Sequence, residues 1–385
     1  MRNFTFYNPT AIFFGKGVIN QLEEQIPKDV NNILVVYGGG SIKKIGLYDQ
    51  LIRKLYKKHI YELEGVMPNP RLEKVYEGIK ICKQKKIEFI IAAGGGSVID
   101  CAKAIAVGAK TNKDVWNCFY ENKEDCEEAL PIGVILTLSA TGSEMNNDSV
   151  ITNWSTHQKL NYTSNKTYPK FAILDPEYTY SLSKEQTIYG AIDILAHVFE
   201  QYFSIPDDLN LSDELSEGII KNVIRNINIV QQDLRNYDGR ACLMWASTMA
   251  LNGIIGLGKE QDWSSHNIGH ALSAIYDIPH GATLSIIFPS WMNFVYKKAL
   301  SKFKRFAIEI WNVDSKGKTD DEIAKEGIIR TKEYFSKLGA PVSLREVNIY
   351  EKDINEIIKH IDIDNAGSYI KISQDDIKEI LLGCL

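Results

Sequence analysis

The stretch Glu88–Lys103, EFIIAAGGGSVIDCAK, decides the fold. Its first half, Phe89 to Ala93, is a continuous apolar run of strand length. Its second half, from Val98 onward, carries apolar residues at helical spacing, and between the two stand Gly94, Gly95, Gly96 and Ser97. A strand apolar on both faces, followed at once by glycine and then a helix, is the repeating unit of a parallel sheet covered by helices. Such a turn brings bare backbone N–H groups up to a phosphate, and the dipole of the helix behind it favours the negative charge. The turn is not GxGxxG, and it is not a Walker loop because no GK[ST] follows. Taken alone it reads equally well as a tight strand-to-helix connection.

The same design occurs earlier, in VVYGGGSIKK at 35–44. Dinucleotide enzymes that use NAD hold the adenosine ribose hydroxyls with an acid after an early strand, whereas NADP enzymes omit the acid and supply cations. Here Gly38, Gly39, Gly40 and Ser41 are followed by Lys43 and Lys44, and nothing acidic lies after the strand before Asp49. The expectation is an NADP-type loop, although two lysines at a helix start are also an ordinary solvated surface. A third loop, TLSATGSEMNND at 137–148, is rich in small hydroxyl residues. It suits a ribose or nicotinamide as well as it suits a plain turn.

Around these loops the first half alternates strand and helix, with strands expected at 32–37, 88–93, 130–136 and 171–176 and helices near 44–57 and 98–108. Past about Leu182 the texture changes. SKEQTIYGAIDILAHVFEQYF (183–203), DELSEGIIKNVIRNINIVQQDL (213–234) and RACLMWASTMALNGIIGLG (240–258) carry apolar residues three and four apart and read as helices. The expected architecture is therefore an α/β dinucleotide-binding domain over 1–182 and an all-α, metal-binding domain over 183–385, with the boundary near Pro176 in DPEYTYSLSKEQ.

Composition bounds the partners. A chain of 385 residues is long enough for two domains, and 44 basic against 49 acidic side chains leave no strongly basic surface for nucleic acid. The six cysteines form no CxxC pair, as expected of reduced cytoplasmic thiols. No run of about 18 apolar residues marks a membrane span. A soluble cytoplasmic protein is the expectation.

Of the seven histidines, four fall in two helical windows. AIDILAHVFEQ places Asp193 and His197 four apart on one otherwise apolar helix face, where a carboxylate wants a partner or a metal. DWSSHNIGHALSAIYDIPHGATL holds His266 and His270 on one face and reaches His280 after Pro279. A single histidine is more often a packed or surface residue than a ligand; four with an aspartate in two windows favour a metal. Nitrogen and oxygen donors without thiolate suit Fe(II), Zn(II) or another first-row divalent ion. The HxxxH spacing lacks the glutamate of a zincin protease.

Together GGGSVIDCAK, LSATGSEMN, AIDILAHVFEQY and DWSSHNIGHALSAIYDIPHG resemble the iron-containing (type III) alcohol dehydrogenases, in particular the NADPH-dependent butanol dehydrogenase and aldehyde reductase branch, along the whole chain. The resemblance implies the fold shared with dehydroquinate synthase, with the site in the cleft between the domains, and one divalent metal, Fe(II) or Zn(II), on Asp193, His197, His266 and His280. It implies that His270 stands beside the metal as a catalytic residue in substrate binding or proton transfer, and that NADP(H) is held by Gly38, Gly39 and Ser41, by Gly95, Gly96, Ser97 and Asp100, and by Thr137, Thr141, Lys159 and Thr179. Reversible reduction of a short-chain aldehyde such as butyraldehyde by a homodimer is the activity it implies. Rival readings are a glycerol or other diol dehydrogenase on the same fold, a dehydroquinate-synthase-like lyase, which is disfavoured because 193–203 and 262–283 contain no Arg or Lys for a phosphorylated substrate, and a non-enzymatic nucleotide and metal binder.

Overall fold

A computed structural model describes residues 2–206, 210–361 and 367–385. Eight strands occur among the described residues: β1 (Ala11–Phe14), β2 (Asn32–Tyr37), β3 (His59–Leu63), β4 (Phe89–Gly94), β5 (Ile132–Leu136), β6 (Asp148–Asn153), β7 (Gln158–Thr163) and β8 (Phe171–Leu174). Six of them form an all-parallel sheet in the order β1-β8-β5-β4-β2-β3, and β6 and β7 pair as a separate antiparallel hairpin.

The strand sequences explain why the sheet is covered on both faces. Leu34, Val36, Ile90, Ala92, Val134 and Leu136 enter one buried cluster. Their alternate neighbours Ile33, Val35, Ile91, Ala93 and Ile135 enter a second. This is the period-two alternation of a strand with apolar side chains on both sides. Within β5, a Cβ at Gly133 would lie 2.3 Å from the Phe171 ring, so glycine is what lets that ring stack beside Phe89.

The chain order turns back between β2 and β4: β3 lies outside β2 on one side, while β4, β5 and β8 proceed the other way. In an open parallel sheet such a reversal opens a crevice at the carboxyl ends of the two strands, the usual place for a ligand. Both strands at this reversal run directly into a GGGS loop.

The chain divides into two compact units. One comprises Tyr7–Ser183 and Asn228–Asn252; the other gathers the described parts of Met1–Phe6, Lys184–Ile227 and Gly253–Leu385. The segment Asn228–Asn252, expected with the helical half, groups with the sheet for a local reason. On its helix Tyr237–Ala250, Met244 joins a sheet core, Trp245 meets Phe14 edge-on and Thr248 donates to the buried Glu144 at 2.6 Å. The second unit is helical, with no strand after Leu174 among the described residues. None of the helices there or in the first unit is long and apolar enough to cross a membrane, among the described residues.

Candidate metal centre and cofactor loops

Three helices of the helical unit converge on one point. Asp193 and His197 lie on the helix Lys184–Tyr202, His266 on Ser264–Tyr276, and His280 opens His280–Val295. The close approach of the first and third helices depends on Gly281, where a Cβ would lie 2.3 Å from the Tyr189 carbonyl oxygen.

Asp193 is buried, with its Oδ1 3.8 Å from His197 Nε2 and 3.6 Å from His280 Nε2. One donor atom each from Asp193, His266 and His280 lies within 4.8 Å of the others. His197 and His266 stack with ring centroids 4.8 Å apart, and Trp263 packs edge-on against both rings. Around a first-row ion with bonds of about 2.0–2.2 Å, neighbouring donors lie roughly 3–3.7 Å apart. A carboxylate already 3.6 and 3.8 Å from two imidazole nitrogens therefore fits a metal ion with little movement. His270 is partly exposed, its ring 5.1 Å from that of His280 and 6.3 Å from that of His266.

One residue of this centre escaped the reading of the sequence. Glu200 is fully buried; its Oε1 accepts from the backbone N–H of His266 and is hydrogen-bonded to the ring Nδ1, each at 3.0 Å. Burial and the nearby Asp262 push its carboxyl well above the usual range, opposed by the backbone N–H groups of His266 and Ser265. A signal existed: Glu200 is seven residues past Asp193 and three past His197, so all three share a face of one helix. Asp262 in turn accepts from the Ser264 N–H at 3.0 Å and the Ser368 N–H at 2.7 Å, fixing the start of the His266 helix.

In the sheet unit, Gly95, Gly96 and Ser97 lie at the N-terminus of the 14-residue helix Gly96–Ala109. The glycines are demanded by space: a Cβ would come within 2.5 Å of Val98 at Gly94, 3.0 Å of Leu138 at Gly95 and 2.5 Å of Thr141 at Gly96. Thr137 and Thr141 thus border this turn, and the Thr137 N–H donates to Gly94 O at 3.0 Å. Asp100 turns inward, its two oxygens accepting from Ser143 Oγ at 2.6 Å and the Val150 N–H at 3.1 Å. Lys159 donates to Asn69 Oδ1 at 2.9 Å, and the buried Thr179 donates to Pro176 O at 2.7 Å within its own turn.

The loop after β2 differs. Gly38 is held against the next crossover, its carbonyl accepting from the Gly65 N–H at 3.2 Å, and a Cβ there would sit 3.2 Å from Val66 O. Gly39 is exposed with nothing within 4 Å of a Cβ position, so no neighbour among the described residues requires it to be glycine. Lys43, read from the sequence as a cation for a phosphate, donates to Glu64 at 3.0 Å and lies 3.9 Å from Glu62. Two acids, Glu62 in β3 and Glu64 just past its end, thus stand beside this loop.

A doubly covered parallel sheet with glycine loops at its reversal, together with a helical unit holding a carboxylate among imidazoles, defines a class: nucleotide-dependent oxidoreductases that also use a metal ion. Comparison with known proteins gives the family. The model for iron-containing alcohol dehydrogenase matches residues 9–176, and that for the C-terminal part of the Fe-containing alcohol dehydrogenase family matches 187–384. The chain belongs to the iron-containing alcohol dehydrogenase family and is an NAD(P)-dependent oxidoreductase. It is 45% identical over 391 residues to the probable NADH-dependent butanol dehydrogenase 2 of Bacillus subtilis (strain 168), covering all of both chains. It is 38% identical over 364 residues to the NADPH-dependent aldehyde reductase YqhD of Escherichia coli (strain K12), covering 94% of this chain and 93% of that one. The crystal structure of NADH-dependent butanol dehydrogenase A from Thermotoga maritima superposes with a TM-score of 0.95 at 41% identity, over 100% of this chain and 99% of that one. The family implies NAD(P) and a metal ion, and the relatives divide between NADH and NADPH.

Proposed function

We propose that this protein catalyses reversible hydride transfer between a reduced nicotinamide dinucleotide and a short-chain aldehyde such as butyraldehyde, yielding the primary alcohol. The observation that carries the proposal is the position of Asp193 Oδ1, 3.6 and 3.8 Å from the Nε2 atoms of His280 and His197. Relatives named butanol dehydrogenase and aldehyde reductase support the substrate class. Asp193, His197, His266 and His280 would hold the ion, Fe(II) or Zn(II), whose nitrogen and oxygen donors suit either. When bound, the ion supplies a Lewis acid for the aldehyde oxygen and lowers the pKa of the alcohol.

The chain does the rest. Glu200 fixes the tautomer and orientation of His266. The turn at Gly95, Gly96 and Ser97 offers a helix N-terminus to the cofactor pyrophosphate, and the loop at Gly38, Gly39 and Ser41 receives the adenosine ribose. His270, partly exposed beside His280, passes the alcohol proton to solvent. On this reading the enzyme works as a homodimer in the cytoplasm.

The test is butyraldehyde-dependent oxidation of NADH and NADPH by protein of measured metal content. Activity should vanish on chelation and return with Fe(II) or Zn(II), and Asp193→Asn should lose metal and turnover together. A metal-free Asp193→Asn protein with full activity would sink the proposal.

A further inference from the structure

Beside the loop after β2, five side chains form one connected group. Tyr37 OH lies between Glu62 and Glu64, donating to Glu62 Oε2 and 3.0 Å from Glu64 Oε2. Tyr48 OH donates to the other oxygen of Glu62 at 2.6 Å. Lys43 Nζ donates to Glu64, with Nζ 5.0 Å from the Tyr37 ring centroid and 5.3 Å from that of Tyr48. The parallel register of β2 and β3, Val35 opposite Glu62 and Val36 opposite Leu63, puts both acids at the carboxyl edge of the sheet. Glu64 reaches the glycine loop itself, for its Oε1 is 3.8 Å from where a Cβ of Gly40 would stand.

The charges can be counted. Lys43 contributes one positive charge and Glu62 and Glu64 two negative ones, so this group of five is net −1 although the sequence after β2 shows only lysines before Asp49. Mutual pairing reinforces the ionised forms: Lys43 is raised, chiefly by Tyr37 and then Glu64, and Glu64 is lowered, chiefly by Lys43. A phosphate monoester brings about −1.5 to −2 more charge at neutral pH. A ribose diol brings none and can donate hydrogen bonds to a carboxylate.

We propose that Glu64 sets the choice between the two nicotinamide dinucleotides, by occupying Lys43 and presenting a carboxylate where a 2′-phosphate would lie. This rests on the reading that the loop at Gly38, Gly39 and Ser41 receives the adenosine ribose. The wild-type protein then accepts NADH readily and NADPH at a disadvantage, although the loop carries no acid of its own. Glu62, held by two tyrosines, is the fixed member of the pair, and removing Glu64 leaves the lysine only the longer 3.9 Å pairing with Glu62.

The experiment measures kcat/KM for NADH and NADPH at saturating butyraldehyde, and inhibition constants for 2′,5′-ADP and 5′-ADP, in wild type, Glu64→Gln, Lys43→Ala and the double variant. Glu64→Gln should raise the NADPH-to-NADH ratio about tenfold and tighten 2′,5′-ADP relative to 5′-ADP by a similar factor. Adding Lys43→Ala should cancel most of that gain, because the freed ammonium is its source. A ratio that moves less than twofold in Glu64→Gln, while both cofactors still bind, overturns this role for Glu64 and leaves the reading of the loop intact. If 2′,5′-ADP and 5′-ADP both fail to compete with cofactor in the wild type, the reading of the loop falls and this inference with it.

Discussion

Glu200 is tied twice to the same residue, His266: its Oε1 accepts from the backbone N–H and is hydrogen-bonded to the ring Nδ1, each at 3.0 Å. With Nδ1 engaged by Glu200, Nε2 is the ring nitrogen left for a metal beside Asp193 and His280. The backbone bond fixes where the His266 helix begins, and the ring bond fixes how the imidazole is turned. Glu200→Gln keeps the shape and replaces the carboxyl with an amide. Metal affinity, measured by competition with a chromophoric chelator, should fall about 10- to 100-fold. Unchanged affinity in a folded variant would show that Glu200 only packs.

Gly281 sets a second requirement. A methyl group there would stand 2.3 Å from the Tyr189 carbonyl oxygen, which is backbone and cannot rotate away. Gly281→Ala must therefore displace the helix that begins at His280 from the helix that carries Asp193. The expected result is a loss of about 1–3 kcal/mol in stability together with weakened metal binding. Thermal unfolding with and without added Zn(II) checks both, and a variant with wild-type metal affinity would contradict the close-packing account.

Lys103 is buried and donates to Ser143 Oγ, Asn146 Oδ1 and Asp148 O at 2.9, 2.9 and 2.7 Å. Three well-placed acceptors suit an ammonium, although burial draws its pKa down to about 8 against the pull of Asp100, Asp148 and Glu144. Lysine here ties the helix behind GGGS to the loop over 143–148. Lys103→Met keeps the volume and leaves the acceptors unmatched, so destabilisation of about 3–5 kcal/mol is expected. If the variant folds, KM for the cofactor should rise more than kcat falls, because the loop is loosened and the metal centre is untouched.

The strands that carry the ligand loops were legible because their signal is strong. The runs 32–37 and 88–93 are apolar on both faces, and the observed strands Asn32–Tyr37 and Phe89–Gly94 lie within a residue of them. The edge strands β1 and β3 and the hairpin β6–β7 were not expected. AIFF and HIYEL are short and half exposed, and QKLNYT alternates weakly, so tertiary pairing decides them. The helix expected near 44–57 is two pieces, Ser41–Lys44 and Leu47–Lys54, broken by Gly46 at φ 74°. The aspartate and histidines were visible through helical spacing. Glu62 and Glu64 were not, since 21 residues separate Lys43 from Glu64 and only the parallel register joins them.

Asp100 gives the sheet unit a pH dependence of defined sign. Burial raises its carboxyl from 3.8 to about 6, against the lowering effects of Lys103, Ser143 and the Val150 N–H. A carboxyl that holds its proton more tightly in the folded chain contributes stability at low pH. That contribution is present below the unfolded value and is lost as pH rises from about 4 through 6. Part of the side chain meets solvent, so the change should be about 1–2 kcal/mol, less than the whole shift would give. Asp100→Asn cannot titrate. Its stability should therefore stay level while that of the wild type falls relative to it as the wild-type carboxyl ionises. Urea midpoints of both proteins at pH 4.5, 5.5 and 7 decide the matter: wild type should lose the amount stated relative to Asp100→Asn, and a difference that stays constant across the range would mean that Asp100 is ionised in the fold throughout.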